Sequence, residues 1–307
     1  MLEIKQKTIK NPISFTGIGL HSGKKVKIKI LPGEADQGIT FIRTDVKNNN
    51  LIQANYQNVS SAKLCTTLEN RYGIKVSTVE HLLAAFYISG IDSATVEIDN
   101  EEIPIMDGSA KDFLEVLKDT KLKVLNSKRK YLKVLSKVEL VDGSRKISIE
   151  PSESFEVDFQ LNYNNKIIGN QRNVINFHRD DIKDVIESRT FCLFEDIEKI
   201  KEYGLAKGGS LENAVVVNDE KVLNAEGLRN EKEFVNHKIL DLAGDFLLSG
   251  KRVLGKVKCY QGGHELTNMF LRKLIKQEKS FENLELDQPV ISKKKFQEPS
   301  IKIAVNA

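Results

Sequence analysis

The spacing of apolar and polar residues divides the chain into short strands and a few buried helices. Lys25 to Ile30 alternates lysine with Val26, Ile28 and Ile30, the period-two pattern of a strand with one wet face. Val79, Leu82, Leu83 and Phe86 recur at helical spacing, and Gly90 stops that helix. A strand follows over Ala94 to Ile98, then the turn-rich stretch IPIMDGSA and a helix from about Lys111 to Lys118. In the second half, Glu139 to Ile149 reads as a hairpin around Asp142-Gly143. Phe155, Val157, Phe159, Leu161 and Tyr163 alternate with polar residues, the clearest strand in the chain. Helical patterns lie near Asp180 to Glu187 and Ile197 to Tyr203, and short strands near Ala214 to Val217 and Gly255 to Tyr260. Each half mixes largely antiparallel strands with helices, an α+β class rather than alternating βαβ units, and no sequence repeat relates the halves. The basic run Lys121 to Lys133 contains little that must be buried. It places a domain boundary near Asn126 to Lys130, with one domain over residues 1–127 and a second over 128–307. The tail beyond about Gln277 is polar and lysine-rich, and reads as loosely packed.

One segment departs from a simple amphipathic pattern. Phe234 to Gly250 reads FVNHKILDLAGDFLLSG, with His237, Asp241 and Asp245 four residues apart on one helical stripe. Val235, Ile239, Leu242 and Phe246 form the opposite side, while Leu240, Ala243 and Leu247 fill most of the rest. A helix that is apolar nearly all round is buried. Between Ile239 and Gly250 there are two carboxylates and no lysine or arginine to pair with them. Buried acids need a cationic partner, so this stripe points to a metal or to a catalytic side chain.

Composition narrows the function classes. The chain has 307 residues, 40% hydrophobic and 29% charged, with a net charge of +4. That surplus is too mild to argue for nucleic acid. Cys65, Cys192 and Cys259 are odd in number and far apart, as expected of reduced thiols in a cytosol. No segment has the apolar length of a signal peptide core or a membrane span. The expectation is a cytoplasmic protein with a small-molecule substrate and no obligate protein partner.

Three of the five histidines stand in company that suits chemistry. His81 follows Glu80 in STVEHLLAAF at the start of a helix. Ser77-x-x-Glu80 also fits a capping box, in which Glu80 only stabilises the helix start. His264 ends Gln261-Gly262-Gly263-His264, where the two glycines let backbone approach a ligand closely. No HExxH occurs, and Lys207-Gly208-Gly209-Ser210 lacks the spacing of a nucleotide-binding P-loop. A ligand set of His81, His237 and Asp241 leaves a zinc ion one open position for water, whose pKa the ion lowers toward ~7. Glu80 is then placed as general base, and a protonated His264 as oxyanion stabiliser and general acid. Asp245, one turn beyond Asp241, orients His264 and raises its pKa.

Those residues lie in a chain that closely resembles the UDP-3-O-acyl-N-acetylglucosamine deacetylases, zinc amidases of lipid A biosynthesis in Gram-negative bacteria. The resemblance runs from TGIGLHSGKKV to about Gln277, through STVEHLLAA, EIPIMDGSA, SRTF, GGS, VLNAEGLR, EFVNHKILDLAGD and GGHELTN in order. It implies Zn2+ on His81, His237 and Asp241, with Fe2+ acceptable to the same donors. It implies Glu80 as base, His264 as cationic partner with Asp245 behind it, and Thr190 as an oxyanion donor. Lys238 matches a lysine near the diphosphate, and Phe191 and Tyr163 match aromatics near the glucosamine and the uracil. With Gly263 these form the implied substrate contacts. Phe194 to Val217 resembles the insert lining a passage for the fatty acyl chain. Gln261 departs from the lysine often found in relatives, and His21 and His178 receive no role and are read as structural or peripheral. The implied fold is two α+β domains of similar topology, with helices sandwiched between two outer sheets. A catalytically silent binder of UDP-sugar or acyl chain is the alternative; the complete set of Glu80, His264 and Asp245 argues against it.

Overall fold

The computed structural model describes residues 2–288. The first half runs β1 (Lys5–Ile9), β2 (Ile13–Ile18), β3 (Lys25–Pro32), β4 (Ile39–Arg43), β5 (Leu51–Gln53), β6 (Val59–Ser61), β7 (Thr67–Glu69) and β8 (Lys75–Val76). It continues with α1 (Glu80–Ser89), β9 (Ala94–Ile98), α2 (Lys111–Asp119) and β10 (Leu122–Lys128). Its main sheet has the order β2-β3-β9-β4-β5, with β9 antiparallel to β3 and parallel to β4. The lysine alternation read from β3 is borne out: Val26, Ile28 and Ile30 are buried and Lys25, Lys27 and Lys29 are exposed.

The second half runs β11 (Lys130–Val134), β12 (Val138–Asp142), β13 (Arg145–Glu150), β14 (Phe155–Asn162), β15 (Asn170–Asn176), α3 (Lys183–Glu187), β16 (Phe191–Leu193) and α4 (Ile197–Glu202). Then come β17 (Val215–Val217), α5 (Glu233–Leu247), β18 (Arg252–Tyr260), α6 (His264–Lys276) and β19 (Phe281–Glu285). Here β12 pairs with β13, β13 with β18 and β14 with β15, all antiparallel, while β18 runs parallel to β14. The path β12-β13-β18-β14-β15 repeats the path β2-β3-β9-β4-β5, sense for sense. In each half a helix (α1 or α5) immediately precedes the central strand and another (α2 or α6) follows it. The halves thus share a topology although no sequence repeat relates them.

Two sequence expectations fail in this frame. The basic run Lys121 to Lys133 is not a surface connection but two strands, and Leu125, Arg129, Tyr131 and Leu132 within it are buried. The lysines mask these strands because β10 is an edge strand with its apolar residues spaced irregularly. The chain beyond Gln277 is also packed as far as β19, which pairs antiparallel with β11. The rest of that tail, residues 289–307, lies outside the described residues.

Helices α1 and α5 cross in close contact, and Gly244 makes this possible. A Cβ at Gly244 would overlap the Glu80 carbonyl oxygen and stand 3.1 Å from the Ala84 amide nitrogen. Gly244→Ala is expected to destabilise the fold by about 1–3 kcal/mol through overpacking, read as a lower midpoint in chemical denaturation. An unchanged midpoint would show that the contact relaxes freely.

The far end of α1 is held by the second half. Gly90 takes φ 73° and its N–H bonds back to Phe86 and Tyr87, a left-handed helix stop. Arg129 donates to the Gly90 carbonyl at 2.6 Å, and Arg252 donates to the carbonyls of Tyr87 and, at 2.9 Å, Ile91. Asp92 joins both guanidinia, at 2.6 Å from Arg129 and 3.3 Å from Arg252. Cationic donors at a helix C-terminus satisfy its last carbonyls and complement its dipole.

Candidate active site

The segment Phe234 to Gly250 is helical as far as Leu247, and that helix, α5, is buried on almost every face, as its pattern required. Within α5 only Lys238 is not fully buried. The stripe of His237, Asp241 and Asp245 faces the start of α1, where Glu80 and His81 are buried too. Asp241 Oδ1 lies 3.3 Å from His237 Nε2 and 3.4 Å from His81 Nε2. One donor atom from each of His81, His237 and Asp241 falls within 4.8 Å of the others. Asp241 Oδ1 is buried without a hydrogen-bond partner. A buried carboxylate oxygen left bare between two imidazole nitrogens fits a cation-binding site.

Electrostatics sort these groups. His237 Nδ1 lies 3.1 Å from the Ser188 carbonyl, a contact that as an N–H donor leaves Nε2 free to ligate. Burial pushes His237 down to about 3, so the ring is neutral. Burial opposes the charge of Asp241, but Lys238, at 2.9 Å from Oδ2, and His264 outweigh it and hold the carboxyl well below its usual range. Burial likewise raises Glu80 above the ordinary carboxylate value. His264 goes the other way. Burial would lower it, yet the carboxylates of Asp245, Glu80 and Asp241 push it up to about 10, so it is a cation at neutral pH. Its Nδ1 sits 2.8 Å from Asp245 Oδ2, and its Nε2 lies 3.7 Å from Glu80 Oε1.

The capping box expected at Ser77 does not form. Thr78 takes φ 56° and turns the chain, and Ser77 donates instead to the Glu101 carbonyl. The Glu80 carboxylate accepts the Thr66 N–H at 3.0 Å, and the Thr66 hydroxyl donates to Asp245 at 2.7 Å. Thr66 thus ties the two carboxylates together, a connection sequence spacing did not signal. Asp241 also has a cationic partner on its own helix: Lys238, one residue before the Ile239 to Gly250 stretch that lacks lysine and arginine. A match to a sequence family now adds to the geometry: the model for UDP-3-O-acyl N-acetylglycosamine deacetylase aligns with residues 6–276.

The chain belongs to this family.

Proteins named UDP-3-O-acyl-N-acetylglucosamine deacetylase are similar over nearly the whole length. One from Geotalea uraniireducens is 42% identical over 285 residues, 92% of each chain. One from Nautilia profundicola is 40% identical across 90% of this chain and 93% of its own. One from Vibrio cholerae is 38% identical across 98% of this chain and 100% of its own.

Of the remaining residues singled out from sequence, Phe191 and Lys238 adjoin the deacetylase-family constellation. Phe191 packs edge-on against Phe234 at 5.0 Å and Tyr163 at 6.0 Å, and is 6.3 Å from the His237 ring. The Lys238 ammonium lies 5.6 Å from the Phe191 ring centre. Thr190 and Phe191 open onto a cavity of 360 Å³ whose walls include Cys192, Ile197, Ile200 and Val216. His21 lines the same cavity, so it is not peripheral. His178 is, standing beside Tyr87 and Phe177 away from the constellation. Gly263 is extended with open space about its Cα, whereas a Cβ on Gly262 would strike the Cys259 sulfur. Only Gly262 is required by packing. Gln261 bonds through its side chain to the Asn162 carbonyl and closes the end of β14.

Proposed function

We propose that this chain hydrolyses the N-acetyl group of UDP-3-O-acyl-N-acetylglucosamine, giving UDP-3-O-acyl-glucosamine and acetate in lipid A biosynthesis, with Zn2+ on His81, His237 and Asp241. The observation that carries the mechanism is the bare, buried Asp241 Oδ1 between two imidazole nitrogens, flanked by a base and a cation. A bound Zn2+, or Fe2+ on the same donors, supplies Lewis acidity that polarises the amide and lowers the pKa of water.

The chain's own groups account for the proton movements. Glu80 takes the proton of the attacking water; burial raises its affinity for that proton, and the Thr66 N–H fixes one carboxylate oxygen. His264 stabilises the developing oxyanion and gives its Nε2 proton to the departing amine as the C–N bond breaks. Asp245 holds His264 in the cationic form and fixes its ring plane. Thr190 adds a hydroxyl to the oxyanion site. Lys238 meets the diphosphate, Phe191, Tyr163 and Gly263 contact the sugar and base, and the 360 Å³ cavity takes the 3-O-acyl chain. We read the site as assembled between an N-terminal domain ending at residue 127 and a C-terminal one beginning at 128.

Location follows the same reading. Among the described residues no helix is long and apolar enough to cross a membrane, and all three cysteines are free. Free thiols fit the reducing cytoplasm.

The silent-binder alternative predicts no acetate. Acetate release from the acylated UDP-sugar is expected, abolished in protein stripped of metal to below one tenth equivalent and restored by one equivalent of Zn2+. Full turnover in verified metal-free protein would sink the mechanism, and absence of acetate with metal bound would favour the binder.

A further inference from the structure

The modest net charge of the whole chain conceals a concentrated basic face. Residues 5–10 and 118–128 carry seven lysines and one acid, Asp119, whereas the entire chain has a surplus of only +4. These segments come together as β1 and β10, a two-stranded ribbon in which Lys7 pairs with Val124, Thr8 with Lys123 and Ile9 with Leu122. Lys7 and Lys128 bond to Glu3 and Asp287. Lys10, Lys118, Lys121 and Lys123 are exposed and have no acidic partner within salt-bridge distance among the described residues.

Apolar side chains alternate with these lysines along β10, with Leu122 and Val124 on the face opposite Lys123 and both sets reaching solvent at the strand's edge. Val124 is 59% exposed and Leu122 37%. Leu122 also forms one wall of a 590 Å³ groove, with Leu114 and Leu117 of α2 and Ile182 and Ile186 beside α3. Lys111, Lys118 and Lys183 stand around this groove but are balanced there by Glu115, Asp181 and Glu187, so the surplus of positive charge lies on the ribbon. The active constellation is at the end of α1 remote from this groove, about 15 Å along the helix axis, so this face and the site can be occupied together.

From this juxtaposition we infer that the β1–β10 ribbon docks the protein, through the edge of β10 that is unpaired among the described residues, onto an anionic lipid bilayer. The lysines meet headgroup phosphates, while Leu122 and Val124 enter the headgroup–acyl boundary. Charge complementarity selects the anionic surface, and the exposed aliphatics select a bilayer over a nucleic acid, whose phosphate backbone offers them nothing. The inference does not depend on the proposed catalysis, since binding is read without turnover.

The test is co-sedimentation of the full chain with vesicles of phosphatidylglycerol and phosphatidylethanolamine, against pure phosphatidylcholine, at low salt. Binding is expected to the anionic vesicles only. Each lysine near such a surface contributes about fivefold, so Lys10→Gln, Lys121→Gln and Lys123→Gln together should weaken binding on the order of a hundredfold. All three are exposed, so thermal midpoint and acetate release in solution should match the parent. Val124→Ser, with charge intact, should weaken binding as well. No binding by the parent, undiminished binding by the triple variant, or indifference to Val124→Ser would each overturn the inference. So would tighter association with a DNA duplex than with the vesicles.

Discussion

Glu80→Gln is expected to leave metal content and fold intact while lowering kcat by about 10²–10⁴-fold, the usual contribution of a positioned base. The substitution keeps the size of the side chain, and the amide oxygen still accepts the Thr66 N–H that holds the carboxylate in the parent. What is lost is the ability to take a proton. Because Glu80 is in the first turn of α1, its charge also favours the helix dipole, but that effect is worth under about 1 kcal/mol and does not reach the rate. Metal analysis and acetate release on the same preparation check the result. Near-parental turnover would reduce Glu80 to a helix-start residue.

His237→Ala should produce the complementary loss. It removes one of two imidazoles, so metal is expected to fall to background after dialysis. Activity should fall further than the ~10–100-fold typical of losing a group that merely orients a ligand. Excess Zn2+ should not restore it. The change also leaves the Ser188 carbonyl without its partner and opens space beside the His81 ring, 5.1 Å away. A stability loss on the order of 2 kcal/mol accompanies it, and circular dichroism at the assay temperature separates unfolding from metal loss. Stoichiometric metal in a folded His237→Ala protein would remove His237 from the ligand set. Together the two variants divide the site into metal retention and proton transfer.

How much of this was legible in the sequence depended on whether the signal was local. The burial of α5 could be read because its apolar residues surround the helix on all sides, and its polar stripe stood out against them. The alternating strands β3 and β14 were equally plain. The strands β10, β11 and β19 were not: β10 and β11 lie in a lysine-rich run that resembles a solvated connection, β19 is a short polar segment, and all three are fixed only by pairing with distant strands. Ser77 and Glu80 matched a capping box by spacing, but the left-handed turn at Thr78 decides where Ser77 points. Thr66 could not be found at all: its hydroxyl meets Asp245, 179 positions away, and nothing in CTT marks that meeting. The shared topology of the halves was equally hidden, because strand order and sense are preserved by patterns of burial that unlike side chains can satisfy.

The clamp of Arg129, Arg252 and Asp92 on the end of α1 makes that helix a lever. Its fulcrum is the set of guanidinium contacts to the carbonyls of Gly90, Tyr87 and Ile91, and its tip carries Glu80 and His81. Over an arm of about 15 Å, each degree of pivot moves the tip by about 0.3 Å. Proton transfer tolerates misplacement of only about 0.5 Å. Two degrees of slack at the clamp would therefore exhaust that tolerance at Glu80, so charges at the far end of the helix set the aim of the Glu80 and His81 side chains.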